Sequence, residues 1–203
     1  MKHILVELLS QLTPLNTAEE TAIKNSFPII SYPKGTYLLK EGQIARNAYY
    51  VIEGCIREYQ LIDGLEKTTA FFTEQQSAAN FTSLANQTAS MHNFVCTENT
   101  KLAVLNAEKE QELYRQFPRF ETFCRTGMEK MLGEKHNHLA EMIVLKPEER
   151  YLKLQKERPE LINRVPQYQI ASYLGIKAET LSRIRKRLLN KTINRSDASL
   201  NSN

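Results

Sequence analysis

Val165-Pro166-Gln167-Tyr168-Gln169-Ile170-Ala171-Ser172-Tyr173-Leu174-Gly175-Ile176-Lys177-Ala178-Glu179-Thr180-Leu181-Ser182-Arg183-Ile184-Arg185-Lys186-Arg187-Leu188 is the most informative stretch of the chain. It reads as two short helices on either side of Gly175. Ile170, Ala171 and Leu174 form the inner face of the first; a small residue at 171 permits close approach of the second, and Gly175 supplies a turn conformation that other residues resist. At 100° per residue, Leu181, Ile184 and Leu188 fall in one apolar seam of the second helix, with Glu179, Arg183 and Lys186 almost diametrically opposite. Glutamate accepts from cytosine N4 and arginine donates twice to guanine O6 and N7, so this face carries the groups needed to read a G·C pair in the major groove. Arg185 and Arg187, on the flanks, suit phosphates. With Lys177, Thr180 and Ser182 added, these residues are the expected DNA-binding set.

The charge distribution agrees. Residues 1–145 hold 14 Lys+Arg and 17 Asp+Glu, a net of −3, whereas residues 146–203 hold 13 and 6, a net of +7. Such asymmetry points to an anionic partner for the C-terminal quarter, and double-stranded DNA is favoured over membrane because no basic segment there has a continuous apolar face. No run approaches the roughly 20 apolar residues of a spanning helix, and charge interrupts the opening residues, so a cytoplasmic location with no membrane partner is expected. Cys55, Cys96 and Cys124 are widely spaced, without a Cys-x-x-Cys, and are expected as small hydrophobes rather than a disulfide framework or metal ligands.

Upstream, Ile4-Leu5-Val6 with Leu8, Leu9 and Leu12 forms an amphipathic start, and Thr17-Ala18-Glu19-Glu20 has the spacing of a capping box opening a second helix. From Phe27 to Leu105 the pattern changes to short runs rich in Ile, Tyr, Val and Thr, broken by Pro33-Lys34-Gly35, Glu41-Gly42, Glu53-Gly54 and Asp63-Gly64. These predict antiparallel strands in a small barrel or sandwich, with a hairpin at Asp63-Gly64. Residues 107–114 then read as a short helix and 118–145 as a long one. Phe120, Phe123, Cys124, Met128, Met131, Leu132, Leu139, Met142 and Ile143 recur along it at intervals of mostly three or four. A helix of roughly 40 Å outruns so small a barrel, so pairing with its copy in a second subunit is the expected use of the stripe. Phe123, Met128, Met131, Leu132, Leu139 and Met142 are the expected dimerisation residues. His136 and His138, two apart on a helix, cannot chelate one ion and are expected as solvated residues.

Ile170-Ala171-Ser172-Tyr173-Leu174-Gly175 followed by Glu179-Thr180-Leu181-Ser182-Arg183 resembles the helix-turn-helix of the Crp/Fnr family. Lys34-Gly35-Thr36-Tyr37-Leu38-Leu39-Lys40-Glu41-Gly42, Tyr49-Tyr50-Val51-Ile52-Glu53-Gly54-Cys55-Ile56-Arg57 and Asp63-Gly64 resemble the opening half of that family's cyclic-nucleotide-binding jelly roll. The resemblance covers about residues 10–190. It implies an α+β fold: an N-terminal antiparallel jelly-roll barrel with flanking helices, a long dimerisation helix, and a C-terminal (winged) helix-turn-helix domain. It divides the chain into a sensor domain at 1–117, the dimerisation helix at 118–145, a DNA-binding domain at 146–191 and a disordered tail at 192–203. It also implies a homodimeric regulator that recruits or blocks RNA polymerase at a palindromic site.

Three departures stand out. The family's recognition helix usually opens Arg-Glu-Thr; here Ala178-Glu179-Thr180 stands there, and the arginine's contact is not carried over. The tail from Thr192 is too polar to predict wing strands with it. The family's cassette places Gly-Glu-Leu before an Arg-Ser/Thr-Ala, the Glu holding ribose and the Arg the cyclic phosphate, whereas Ala79-Asn80-Phe81-Thr82 and Met91-His92-Asn93 occupy these stretches. Asn80, Phe81, Thr82, Met91 and His92 are thus the expected lining of an effector pocket that does not bind cyclic AMP in the usual way, and no cofactor is expected. Enzyme function is not expected: a jelly-roll oxygenase needs two His and a carboxylate inside the barrel, and the barrel segment contains only His92. The competing reading is an effector-sensing interaction protein whose helix-turn-helix docks on protein rather than DNA.

Overall fold

The computed structural model describes residues 3–200, with side chains followed to residue 190, and divides into a unit at 1–135 and a unit at 136–203. The first opens with α1 (Ile4–Leu12) and α2 (Thr17–Ser26). The capping box of α2 is formed one residue earlier than expected. Asn16 Oδ1 accepts from the Glu19 amide at 2.9 Å, and Glu19 Oε2 accepts from the Asn16 amide at 2.9 Å. Two overlapping sets, Asn-x-x-Glu and Thr-x-x-Glu, have the right spacing; the first wins because Glu19 is buried and its carboxylate also receives Arg119 Nη2 at 2.5 Å from α5 (Arg119–Val144). Asn16→Ala should cost about 1 kcal/mol, read as a lower denaturant midpoint with unchanged slope. Val6, Ile23, Phe27, Leu113 and Phe120 close a small core between these helices and α4 (Ala107–Gln116).

Between α2 and α4 lie eight strands: β1 (Ile29–Tyr32), β2 (Tyr37–Leu39), β3 (Asn47–Glu53), β4 (Ile56–Ile62), β5 (Leu65–Phe72), β6 (Ser77–Ala78), β7 (Asn93–Cys96) and β8 (Thr100–Asn106). A short α3 (Phe81–Asn86) joins β6 to β7. The strands form two four-stranded antiparallel sheets, ordered β1-β8-β3-β6 and β2-β7-β4-β5, a jelly-roll-like arrangement. Inward-facing Val51, Ile56, Phe72, Phe94 and Leu102 fill the space between them. The hairpin of β4 and β5 turns at Asp63 and Gly64, φ +52° and +74°, with Ile62 opposite Leu65. Two successive positive φ values match the right-handed strand twist, which is why this dipeptide stands here.

All three cysteines are free thiols, Cys55 and Cys96 buried and Cys124 half-buried. Burial pushes the Cys96 and Cys124 thiols up, away from the reactive thiolate.

The second unit takes the end of α5 and adds α6 (Pro147–Glu157), α7 (Pro159–Arg164), α8 (Gln167–Tyr173) and α9 (Ala178–Leu200). Prolines 147 and 159 stand at first helical positions, where the missing amide costs nothing. Tyr151, Leu154, Leu161, Val165, Ile170, Ala171, Leu174, Leu181 and Ile184 are buried in this unit. The wing implied by the resemblance would follow α9 and lies outside the described residues, which end with that helix at Leu200. No Gly or Pro occurs after Gly175 to turn the chain, and the helix runs on. The expected tail at 192–203 begins inside the bounds of α9; its side chains, and residues 201–203 altogether, lie outside the described residues. Among the described residues no helix is long and apolar enough to cross a membrane.

Candidate nucleic-acid interface

The turn between α8 and α9 is a paired C-terminal cap. Leu174 ends α8 and Gly175 follows at φ +68°; the Gly175 amide donates to Ser172 O at 3.0 Å and the Ile176 amide to Ala171 O at 2.9 Å. These two bonds satisfy carbonyls the helix end would leave bare, and the left-handed residue they require is a glycine. A Cβ at 175 would meet only Arg150 Nη1 and Met142 Cε at 3.6 Å, ordinary contact, so the backbone angle and not crowding selects glycine. The reversal presses Ile170, Ala171 and Leu174 inward with Leu181 and Ile184, as the seam predicts, while Leu188 is only half-buried.

The opposite face of α9 is open. Lys177, Glu179, Ser182, Arg183, Lys186 and Arg187 are exposed, and Thr180 and Arg185 are half-buried at its edges. Arg183 makes no hydrogen bond or ion pair with another described residue. Arg187 differs: its Nη2 is held by Glu148 Oε2 on α6. The helical period gave no sign of this partner, which lies 39 residues away. Tyr168, also missed, is exposed at the start of α8, and its hydroxyl accepts from Gln169 Nε2 at 3.2 Å.

Residues 123–142 of α5 split. Phe123 packs on the small helical core, and the Met142 side chain meets Arg150, Nη1 donating to Met142 Sδ at 3.9 Å and to Met142 O at 3.2 Å. Met131 is half-buried, whereas Met128, Leu132 and Leu139 are exposed, Leu132 by 70% and Leu139 by 61%. Ile143 continues this bare apolar line, while Val144 is exposed on another side of the helix. His138 corrects the expectation of a solvated residue: its ring stacks on Tyr173 of α8, 5.5 Å between centroids and 10° from parallel.

The expected effector residues do not converge. Phe81, Thr82 and Met91 are exposed. Asn80 caps α3, its Oδ1 accepting from the Ser83 amide at 3.1 Å and its Nδ2 donating to Ser90 Oγ at 2.8 Å. Ser90 Oγ in turn bonds the His92 backbone, and the His92 ring lies between Glu58 Oε1 at 2.6 Å and Gln60 Nε2 at 2.8 Å. Glu58 and Gln60 both come from β4. Strand alternation turns the neighbouring Arg57 to the other face of β4, where it bonds Thr68 Oγ1 at 2.8 Å and Glu66. A surface depression of about 470 Å³ lies elsewhere, lined by Leu38, Leu39, Gln43, Ile44, Arg46 and Tyr49 among others. No group of three or more metal-ligating side chains occurs among the described residues.

Residues 29–117 match the cyclic nucleotide-binding domain family. Among curated protein sequences none matches. Several solved structures are similar along most of their length. The c-di-GMP responsive global regulator CLP of Xanthomonas campestris is 18% identical over 87% of this chain and 93% of its own, with a TM-score of 0.68. FixK2 of Bradyrhizobium japonicum is 18% identical over 82% and 86%, with a TM-score of 0.70. A protein placed in the crp/fnr family, from Eubacterium rectale, is 17% identical over 87% and 85%, with a TM-score of 0.66. Residues 29–117 are thus similar to the cyclic nucleotide-binding domain family, and over more than four fifths of its length the chain is similar in fold to these solved structures, one of them placed in the crp/fnr family.

Proposed function

We propose that the chain is a sequence-specific, DNA-binding transcription regulator of the Crp/Fnr type. It acts as a homodimer in the cytoplasm, engages RNA polymerase at its promoters, and is not an enzyme. The observation that carries this reading is the open face of α9, where Glu179, Arg183 and Lys186 stand away from the buried Leu181 and Ile184 seam. In the major groove, Glu179 and Arg183 read base edges, and Lys177, Thr180, Ser182, Arg185, Lys186 and Arg187 serve the backbone. The exposed Leu132 and Leu139 on α5 pair the two copies, so that two such faces meet two half-sites. Selection of bound genomic fragments followed by titration over a salt series tests the reading. A symmetric motif and a strongly negative dependence of log affinity on log salt support it, since each neutralised phosphate releases condensed counterions. A weak dependence and no motif would instead favour a helix-turn-helix that docks on protein.

The barrel's effector is not cyclic AMP held by the usual contacts. A buried cyclic phosphate needs a cation, yet Met91 is exposed and apolar, and the adjacent His92 is engaged by Glu58 and Gln60. Isothermal titration of cyclic AMP into the protein should give no heat of binding at micromolar concentrations; a saturating isotherm there would show that a different cation neutralises the phosphate.

A further inference from the structure

The ion pair between Arg187 and Glu148 joins α9 to the first turn of α6 within the second unit. The Arg187 side chain is 56% exposed and that of Glu148 25%, so the guanidinium sits at the surface with a carboxylate under it. The N-terminal backbone of α6 is served by a different residue: Glu149 Oε2 accepts from the Lys146 amide at 2.7 Å. Glu148 is thus an acidic side chain engaged with a cation on the basic helix of a segment carrying a net charge of +7.

We propose that Glu148 is a positioning residue that acts as an electrostatic brake on binding to the DNA backbone, an inference that rests on the function proposed above. Its carboxylate occupies the guanidinium that would otherwise neutralise a phosphate. When DNA arrives, the phosphate must displace Glu148 or share Arg187 with it, and the negative charge of Glu148 remains beside the duplex in either case. A part-exposed pair is weak enough to be displaced, so the brake lowers affinity without abolishing it. Because it acts on the backbone, it lowers binding to every sequence alike and leaves more of the discrimination to the base-reading face around Arg183.

The test titrates full-length wild type, Glu148→Gln, Arg187→Ala and the double variant against a mixed-sequence duplex of about 30 base pairs over a range of salt. Glu148→Gln should bind up to about fivefold tighter at low salt, with a salt slope steeper by about 0.9. Arg187→Ala, which removes the guanidinium and keeps the Glu148 charge, should bind more weakly with a flatter slope. The double variant should return to within about twofold of wild type, because the two changes act on one coupled pair. If Glu148→Gln weakens binding, Glu148 instead holds Arg187 in its phosphate-binding pose and the brake is overturned. A lower melting temperature of Glu148→Gln with an unmoved salt slope overturns it as well, assigning the residue to the stability of α6 alone. Wild type that binds the duplex while Glu148→Gln binds identically removes the brake only; wild type that binds no duplex removes the DNA reading and the brake together.

Discussion

Replacing Leu132 and Leu139 together by glutamate should convert the protein from a dimer to a monomer of 23.4 kDa in sedimentation equilibrium. The two positions are seven apart on α5, hence about 20° from one another around its axis, and they lie on one line of the helix surface. Both are largely bare within the chain, while Phe123 and Met142 of the same stripe are engaged inside it. Burying a leucine side chain is worth about 1.5–3 kcal/mol, and a symmetric helix pair buries each of the two twice, so four side chains supply roughly 6–12 kcal/mol to association. Glutamate removes that term and places like charges across the seam. Its helix propensity is close to that of leucine, so the monomer should keep its helical circular dichroism. Affinity for a two-fold operator should fall by about 10²–10⁴, because the second half-site is then no longer engaged at high effective concentration. An unchanged mass would take this helix out of the interface.

Arg183→Ala should weaken binding to the selected operator by roughly 1–3 kcal/mol, or about 5- to 150-fold, and binding to a scrambled duplex far less. Arg183 is exposed on the outward face of α9 and is engaged by no other described residue, so its removal should leave the fold intact and delete the proposed bidentate base contact. Lys186, on the same face, and Arg185, at its edge, provide the comparison, since phosphate contacts lower both affinities and flatten the salt slope. An equal loss on both duplexes from Arg183→Ala would withdraw this docking of α9 in the groove.

Local rules made part of this molecule readable from its residues alone. Asp63-Gly64 and Gly175 tolerate the left-handed backbone that a tight turn needs and most residues resist, and the 3.6-residue period places Leu181 and Ile184 on one side of α9 and Arg183 on the other. Interactions within a few residues determine these features. The tertiary structure decided which of several equivalent side chains is used. Glu19 rather than Glu20 completes the cap of α2 because Arg119, 100 residues later, neutralises it. His92 is held by Glu58 and Gln60 from a different strand, and Arg187 by Glu148 from a different helix. Periodicity marked the α5 stripe as apolar, but only folding separated Phe123 and Met142, which pack or bond within the chain, from Leu132 and Leu139, which stay largely exposed. Spacing along a chain sets direction around a helix or strand; which group waits at the other end of that direction depends on contacts between residues far apart in sequence.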